Sequence, residues 1–146
     1  MVRRWMAMVA LFATVMLAAC GAPQASAKEV ATQAMEAIKI GDSATARTLI
    51  SPSVNSLIAD NTVFVTTNVW RDSQRPVDPM CAACYGPILS ETWHEPVVAG
   101  QTTTVLLTVD YQKATYEWTF TLQKESAGWK ILSIKPYQTV YKHNDG

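Results

Sequence analysis

"TTVLLTVDYQKATYEWTFTL", residues Thr103 to Leu122, alternates apolar and polar side chains on both sides of a short turn. Val105, Leu107, Val109 and Tyr111 share one face of the first half. In the second half Tyr116, Trp118, Phe120 and Leu122 stand against Thr115, Glu117, Thr119 and Thr121. A period of two marks a strand with one buried face, and Gln112-Lys113-Ala114 is short enough to turn one strand back beside the other. A second tight turn, Glu125 to Gly128, leads into a strand from Trp129 to about Ile134, and the tail after Pro136 can extend it as far as Tyr141. A further strand is expected around Ser90 to Glu95, ahead of an Ala-Gly turn. The second half of the chain therefore reads as an antiparallel meander whose last edge is free to pair with a partner's strand.

Upstream the apolar period lengthens to that of a helix. Lys28 to Ile40 places Val30, Ala34, Ala37 and Ile38, with Met35, on one stripe, and Gly41 is a natural stop. Asp42 caps a second helix over Ser43 to Ile50, with Ala46, Leu49 and Ile50 facing inward. Ser51-Pro52 has the form of a third helix opening, and Val54, Leu57, Ile58, Val65 and Val69 carry an inward stripe to about Trp70. The β-branched run VFVTTNVW, residues 63–70, also suits a strand. Arg71 to Pro87 is a proline-rich irregular connection. Helices first and strands afterwards give an α+β domain, its helices packed on one face of a curved antiparallel sheet. No internal repeat is visible.

The first thirty residues concern location. Arg3 and Arg4 precede an uncharged run, Trp5 to Ala19, about 15 residues long and short of the roughly 20 that span a bilayer. A basic start, an apolar stretch and small residues before a break form a secretory signal. The ending Leu17-Ala18-Ala19-Cys20 resembles the lipobox of bacterial lipoproteins. That resemblance implies cleavage before Cys20, a diacylglycerol on its sulfur, and fatty acyl chains such as palmitate that together anchor stably. With Gly21 after the anchor and no nearby Asp, it also implies a cell-envelope position, at the outer membrane facing the periplasm. Gly21 to Lys28 (GAPQASAK) reads as a flexible tether. The expected division is a signal peptide over 1–19, the lipidated Cys and tether over 20–28, and one domain over 29–146.

The 146 residues carry 12 basic and 12 acidic side chains, and the leader holds two of the bases and none of the acids. A slightly acidic mature domain without a Lys/Arg run lacks the footprint of a nucleic-acid binder. With Cys20 assigned to lipid, Cys81 and Cys84 remain, and in an oxidising compartment they most simply pair with each other as a disulfide. A thioredoxin-type redox pair is an alternative, but it needs a helix start, which Pro79 and Tyr85-Gly86-Pro87 disfavour. A metal site is another, and only His94 and His143 stand ready as further non-carboxylate ligands. No metal and no cofactor is expected.

Two stretches, Ile38 to Pro52 (IKIGDSATARTLISP) and Tyr116 to Ile134 (YEWTFTLQKESAGWKILSI), resemble the NTF2-like superfamily, and more narrowly small envelope lipoproteins with a cystatin/NTF2-like domain. The resemblance implies a cone-shaped pocket between helices and sheet. A catalyst there would need a carboxylate or His base with an oxyanion-stabilising acid. Asp110, Tyr111, Tyr116, Glu117, His94 and Glu95 are the candidates. Asp110 and Glu117 fall on polar strand faces, and His94 and Glu95, being adjacent on a strand, point to opposite faces. Each reads as a solvated group, and no phosphate loop or nucleophile elbow is present. Tyr116, Trp118 and Phe120 read as core, whereas Trp70 and Trp93, which flank the irregular connection, are candidate binding residues. The expected role is a non-enzymatic binding or scaffolding module of the envelope, with membrane and envelope-protein partners. An accessory of a secretion or conjugation apparatus is one form of it, and a small-molecule carrier using the cone is the alternative.

Overall fold

The structure, a computed structural model, describes residues 23–76 and 84–141. Three helices come first: α1 (Ala27–Ile40), α2 (Ser43–Leu49) and α3 (Ser56–Ser73). The strands β1 (Ile88–Trp93), β2 (Val97–Ala99), β3 (Thr102–Tyr111), β4 (Ala114–Glu125) and β5 (Gly128–Tyr141) follow. All pair antiparallel in the order β1-β3-β4-β5, and the short β2 joins the same edge of β3 further along. The α+β class is as expected.

Alternation builds the core. On β3 the side chains of Thr103, Val105, Leu107, Val109 and Tyr111 are buried and their neighbours only partly so. The register Val105↔Phe120, Leu107↔Trp118 and Val109↔Tyr116 lays the apolar face of β4 beside that of β3. Helix α1 brings Val30, Ala31, Ala34, Met35, Ala37 and Ile38 to the same core. Trp118, Tyr111, Phe120, Met35, Leu107, Leu122 and Ile131 are enclosed so fully that no water-sized sphere reaches them, and Ile38 is almost as deeply buried.

Local chemistry sets the helix ends. The Ser26 hydroxyl accepts from the Glu29 N–H at 3.2 Å and the Glu29 carboxylate accepts from the Ser26 N–H, a reciprocal cap. At the far end Gly41 takes φ 72°, a left-handed value that costs glycine little, and the N–H of Asp42 reaches the Ala37 carbonyl at 2.8 Å. Asp42 then caps α2 through the Thr45 N–H, as its position in the sequence indicates. The last part of the expected tether belongs to the fold: Ala25 packs against the core, Ser26 is the cap and Ala27 is buried.

Two expectations for the third helix are corrected. Ser51-Pro52 does not open it. The Ser51 N–H donates to the Ile131 carbonyl at 2.8 Å, beside a parallel bridge between Ile50 and Ile131. Its hydroxyl donates to Glu125 Oε1 at 2.5 Å and lies 2.7 Å from Ser53 Oγ. The chain is thereby tied to β5 and turns into the helix only at Asn55, whose side chain accepts from the Leu57 N–H. From there α3 runs unbroken through 63–70 to Ser73, so the helical reading of that run holds. Its inward stripe, however, is Ala59, Val63, Thr66, Trp70 and Ser73, while Leu57 is 77% exposed and Ile58 and Val65 point outward. Trp70 sets this phase by meeting the Trp118 ring edge-on at 6.1 Å. Thr66 tolerates burial because its hydroxyl donates to the Thr62 carbonyl.

Strand β5 extends to Tyr141, as the tail sequence suggests, with irregularities opposite Thr115/Tyr116 and Thr121/Leu122. Pro136, opposite Trp118, sits where a missing N–H is tolerated, on an edge strand. The corrected phase of α3 has a measurable consequence. Met35→Ala is expected to lower stability by about 2–5 kcal/mol, whereas Ile58→Ala stays within about 0.5 kcal/mol. Urea unfolding of both variants checks the pair.

Candidate functional site

In a fold of this class a ligand or catalytic group would occupy the space between helices and sheet. Among the described residues the buried polar side chains are Ser51, Thr66, Ser73 and Thr103, with no buried carboxylate or imidazole. The most polar part of the enclosed face lies where β3 ends. There Tyr111, Tyr116 at the start of β4, and Tyr85 from the irregular connection bring their rings together. Centroids are 5.8 Å apart for Tyr85–Tyr111, 5.4 Å for Tyr85–Tyr116 and 6.3 Å for Tyr111–Tyr116.

The hydroxyls are joined as closely as the rings. Ser73 donates to the Trp70 carbonyl at 2.7 Å, which leaves its oxygen to accept from Tyr111 OH at 2.8 Å. Gln74 Nε2 donates to the same phenol at 3.4 Å. Tyr85 OH lies 3.1 Å from Tyr116 OH and donates to Gln138 Oε1 at 3.2 Å. Burial pushes the Tyr111 phenol up to about 12; the Ser73 bond works against this and the Glu91 charge adds to it. Such a phenol stays protonated and donates a hydrogen bond rather than serving as a base. Backbone bonds from Gln112 N–H to Pro87 and from Lys113 N–H to Tyr85 pin the connection to the β3–β4 turn. The cluster thus ties the end of α3 and the connection to one end of the sheet.

The other sequence-derived candidates do not converge. Asp110 accepts from the Thr115 hydroxyl at 2.8 Å across the sheet, on the face away from the helices, and Glu117 is half-buried on that same face. His94 Nε2 is 2.8 Å from Thr108 Oγ1, and Glu95 pairs with Lys28 at 3.1 Å, so the two do not form a dyad. Trp93 is half-buried against Phe120, ring centroids 5.7 Å apart. Trp70, a candidate binding residue by sequence, is only 6% exposed and belongs to the core, because its indole fills the space over Trp118. Cys20, Cys81 and His143 lie outside the described residues, while Cys84 is buried just before Tyr85. Among the described residues no three His, Cys, Asp or Glu side chains gather as a metal site would require.

Sequence reasoning missed Lys39. Its ammonium donates to Glu91 at 2.7 Å and Glu36 at 2.9 Å and stands 5.3 Å from the centre of the Trp70 ring. Burial alone would lower its pKa, but the bonds and charges of Glu91 and Glu36 outweigh that and hold it above the usual lysine value. The Glu36–Lys39 spacing was readable as a helical pair; the Glu91 partner, on β1, was not. This group is a fastener between α1 and β1.

The surface is more suggestive than the interior. Leu57, Ile58, Phe64 and Val65 stand out from α3 at spacings of seven, and Phe64 is 68% exposed. Beside Phe64 a shallow cleft of about 420 Å³, lined by Ser43, Ala44, Arg47, Asp60 and Val63, separates α2 from α3. An apolar run of this kind beside a cleft can receive an apolar partner surface.

No protein-family model and no curated protein matches the chain. Among solved structures it is similar to a crystal structure described as an NTF2-like protein of unknown function from Shewanella baltica OS155. The identity is 15% and the TM-score 0.47, over 77% of this chain and 90% of that one. A likeness of that degree says nothing about chemistry.

The tyrosine cluster makes a prediction about alkaline pH. A phenol whose folded pKa lies above its unfolded value supports the fold fully below about pH 10. That support is lost as pH rises toward about 12. Tyr111→Phe should remove its share of the alkaline loss and cost about 0.5–1.5 kcal/mol at neutral pH for the lost Ser73 bond. Urea melts of wild type and variant, stepped from neutral pH upward, test both parts. Identical alkaline slopes would refute the assignment.

Proposed function

We propose that the protein is a lipid-anchored, non-enzymatic docking module of the cell envelope, with an NTF2-like domain. Cys20 holds it to the membrane, and the outer face of α3 engages another envelope protein. The observation that carries this reading is the exposed run Leu57, Ile58, Phe64 and Val65. The core side of α3 is instead Ala59, Val63, Thr66, Trp70 and Ser73, with Val69 packed against it, so the outward side chains contribute little to the core. Lipid anchoring rests on the Leu17-Ala18-Ala19-Cys20 ending and the uncharged leader before it. A part of a secretion or conjugation apparatus is one machine such a module would serve.

The carrier alternative needs an apolar cone with room in it. Against it stand Trp118, Tyr111, Phe120, Met35 and Leu107, which occupy the space between helices and sheet without a water-sized gap beside them. For the connection we propose that Cys81 and Cys84 form a disulfide, holding the segment that delivers Tyr85 to its cluster. Alkylation with and without reductant, read by intact mass, distinguishes this from two free thiols.

The docking reading is tested in the host with a benzophenone amino acid at Phe64. A discrete envelope-protein adduct is expected, weaker by several-fold when Cys20→Ser removes the anchor and absent when the photoreactive group is moved to the outward sheet position Thr119. No adduct at Phe64 from a chain that is made and folded would defeat it.

A further inference from the structure

The lipid-anchor reading, on which this inference rests, has a geometric consequence. The acylated sulfur would be at Cys20, and Gln24 is seated in the fold only four residues later. Its amide lies 3.9 Å from where a Cβ on Gly128 would stand, in the turn between β4 and β5. Four residues reach at most about 14 Å. With the length of the exposed Gln24 side chain and the gap to Gly128 added, the anchor reading puts the bilayer surface within roughly 25 Å of this end of the sheet.

The same end carries the turn between β2 and β3. Ala99 pairs with Thr102, and Thr102 pairs with Gln123 near the end of β4. Here Val97 and Val98 are 65% and 71% exposed, although both are valines in a strand. Gly100 makes the turn at φ 63° with nothing within 4 Å of its open side. From Pro96 to Thr104 (PVVAGQTTT) there is no charged residue. The charges around this end include Lys28, Lys124, Lys130 and Arg47, together with Glu29, which caps at Ser26, Glu95, which pairs with Lys28, and Glu125, which accepts from Ser51. Long lysine stems suit a rim at the headgroup level.

We infer that the β2–β3 turn, Val97-Val98-Ala99-Gly100, seats in the interfacial region of the bilayer beside the anchor. Its occupant is a lipid surface, and the domain stands end-on upon it. Helix α3 begins at this end, since Asn55 and Ser56 share a cleft with Glu125 and Lys130, and it leads away from the membrane for about 27 Å. Most of its outer face is thus left to a protein partner.

The test uses the full-length lipidated protein, purified from its host and reconstituted into vesicles of phosphatidylethanolamine and phosphatidylglycerol. A benzophenone amino acid replaces Val98 in one sample and Leu89 in another. Leu89 is also exposed but lies at the opposite end of the sheet, next to the pairing of Ile88 with Tyr111, roughly 25 Å away along β3. Illumination should attach lipid to position 98 several-fold more than to position 89. On the unsubstituted chain, the amides of residues 98–101 should exchange several-fold more slowly on vesicles than in the soluble Cys20→Ser chain. Equal labelling, a second copy of the chain captured at position 98 in place of lipid, or unchanged exchange would overturn the docking. If the intact mass still shows acylated Cys20, the anchor reading survives that result. A chain with no acyl group on Cys20 would bring down both.

Discussion

Trp118 stands at the centre of the molecule. On β4 it lies opposite Leu107 of β3 on one side and Pro136 of β5 on the other, and from the helical layer Trp70 meets its ring edge-on. Edge-on aromatic pairs add about 0.5–1.5 kcal/mol beyond the area they bury, but the greater effect is geometric. A helix has one rotational freedom about its axis, and seating Trp70 on Trp118 removes it for α3. Ala59, Val63, Thr66 and Ser73 then follow inward by helical spacing, and Leu57, Ile58, Phe64 and Val65 are turned outward whatever their hydrophobicity. Lys39 reinforces the arrangement from α1, stacking its ammonium near the Trp70 ring while Glu91 holds it from β1.

That constraint explains why the surface of α3 is the informative one. A helix with two apolar faces has to choose one for the core, and the indole wins over aliphatic side chains because it covers the most area against a flat aromatic platform. The losing face stays in solvent at a steady cost in solubility. Among the described residues, the side chains between helices and sheet around Trp118 are closely packed. The tyrosine cluster at the C-terminal end of α3 has a different character. Its hydroxyls are spent on Ser73, Gln74 and Gln138, so it braces the irregular connection instead of presenting reactive groups.

Much of the sheet could be read directly from residues, because a period of two is dictated by backbone geometry and β3 and β4 obey it over nearly their whole length. The cap at Asp42 and the stop at Gly41 were equally legible, since each depends on the local chain alone. What could not be read depended on partners far away in the chain. Ser51-Pro52 has the form of a helix opening, but Ile131 and Glu125 claim Ser51 first. The stripe through Leu57, Ile58 and Val65 is as regular as the true one, and only the position of Trp118 distinguishes them. Trp70 looked available because it borders an irregular stretch, and its burial is likewise a tertiary fact. Glu91 as the partner of Lys39, and Ser73 as the partner of Tyr111, left no trace in local pattern.

The outer edge of β5 has a further bearing on the life of the protein. A long edge strand is a template for adding like strands, and chains held together at high local density meet one another's edges repeatedly. In this molecule the start of that edge is closed by Ser51 at Ile131, and further along Lys135 brings a charge and Pro136 removes a donor. Stacking of copies into a fibril would have to bridge a gap in its hydrogen-bond ladder at that proline. The residue that looks like an imperfection in the strand is therefore a safeguard against polymerisation.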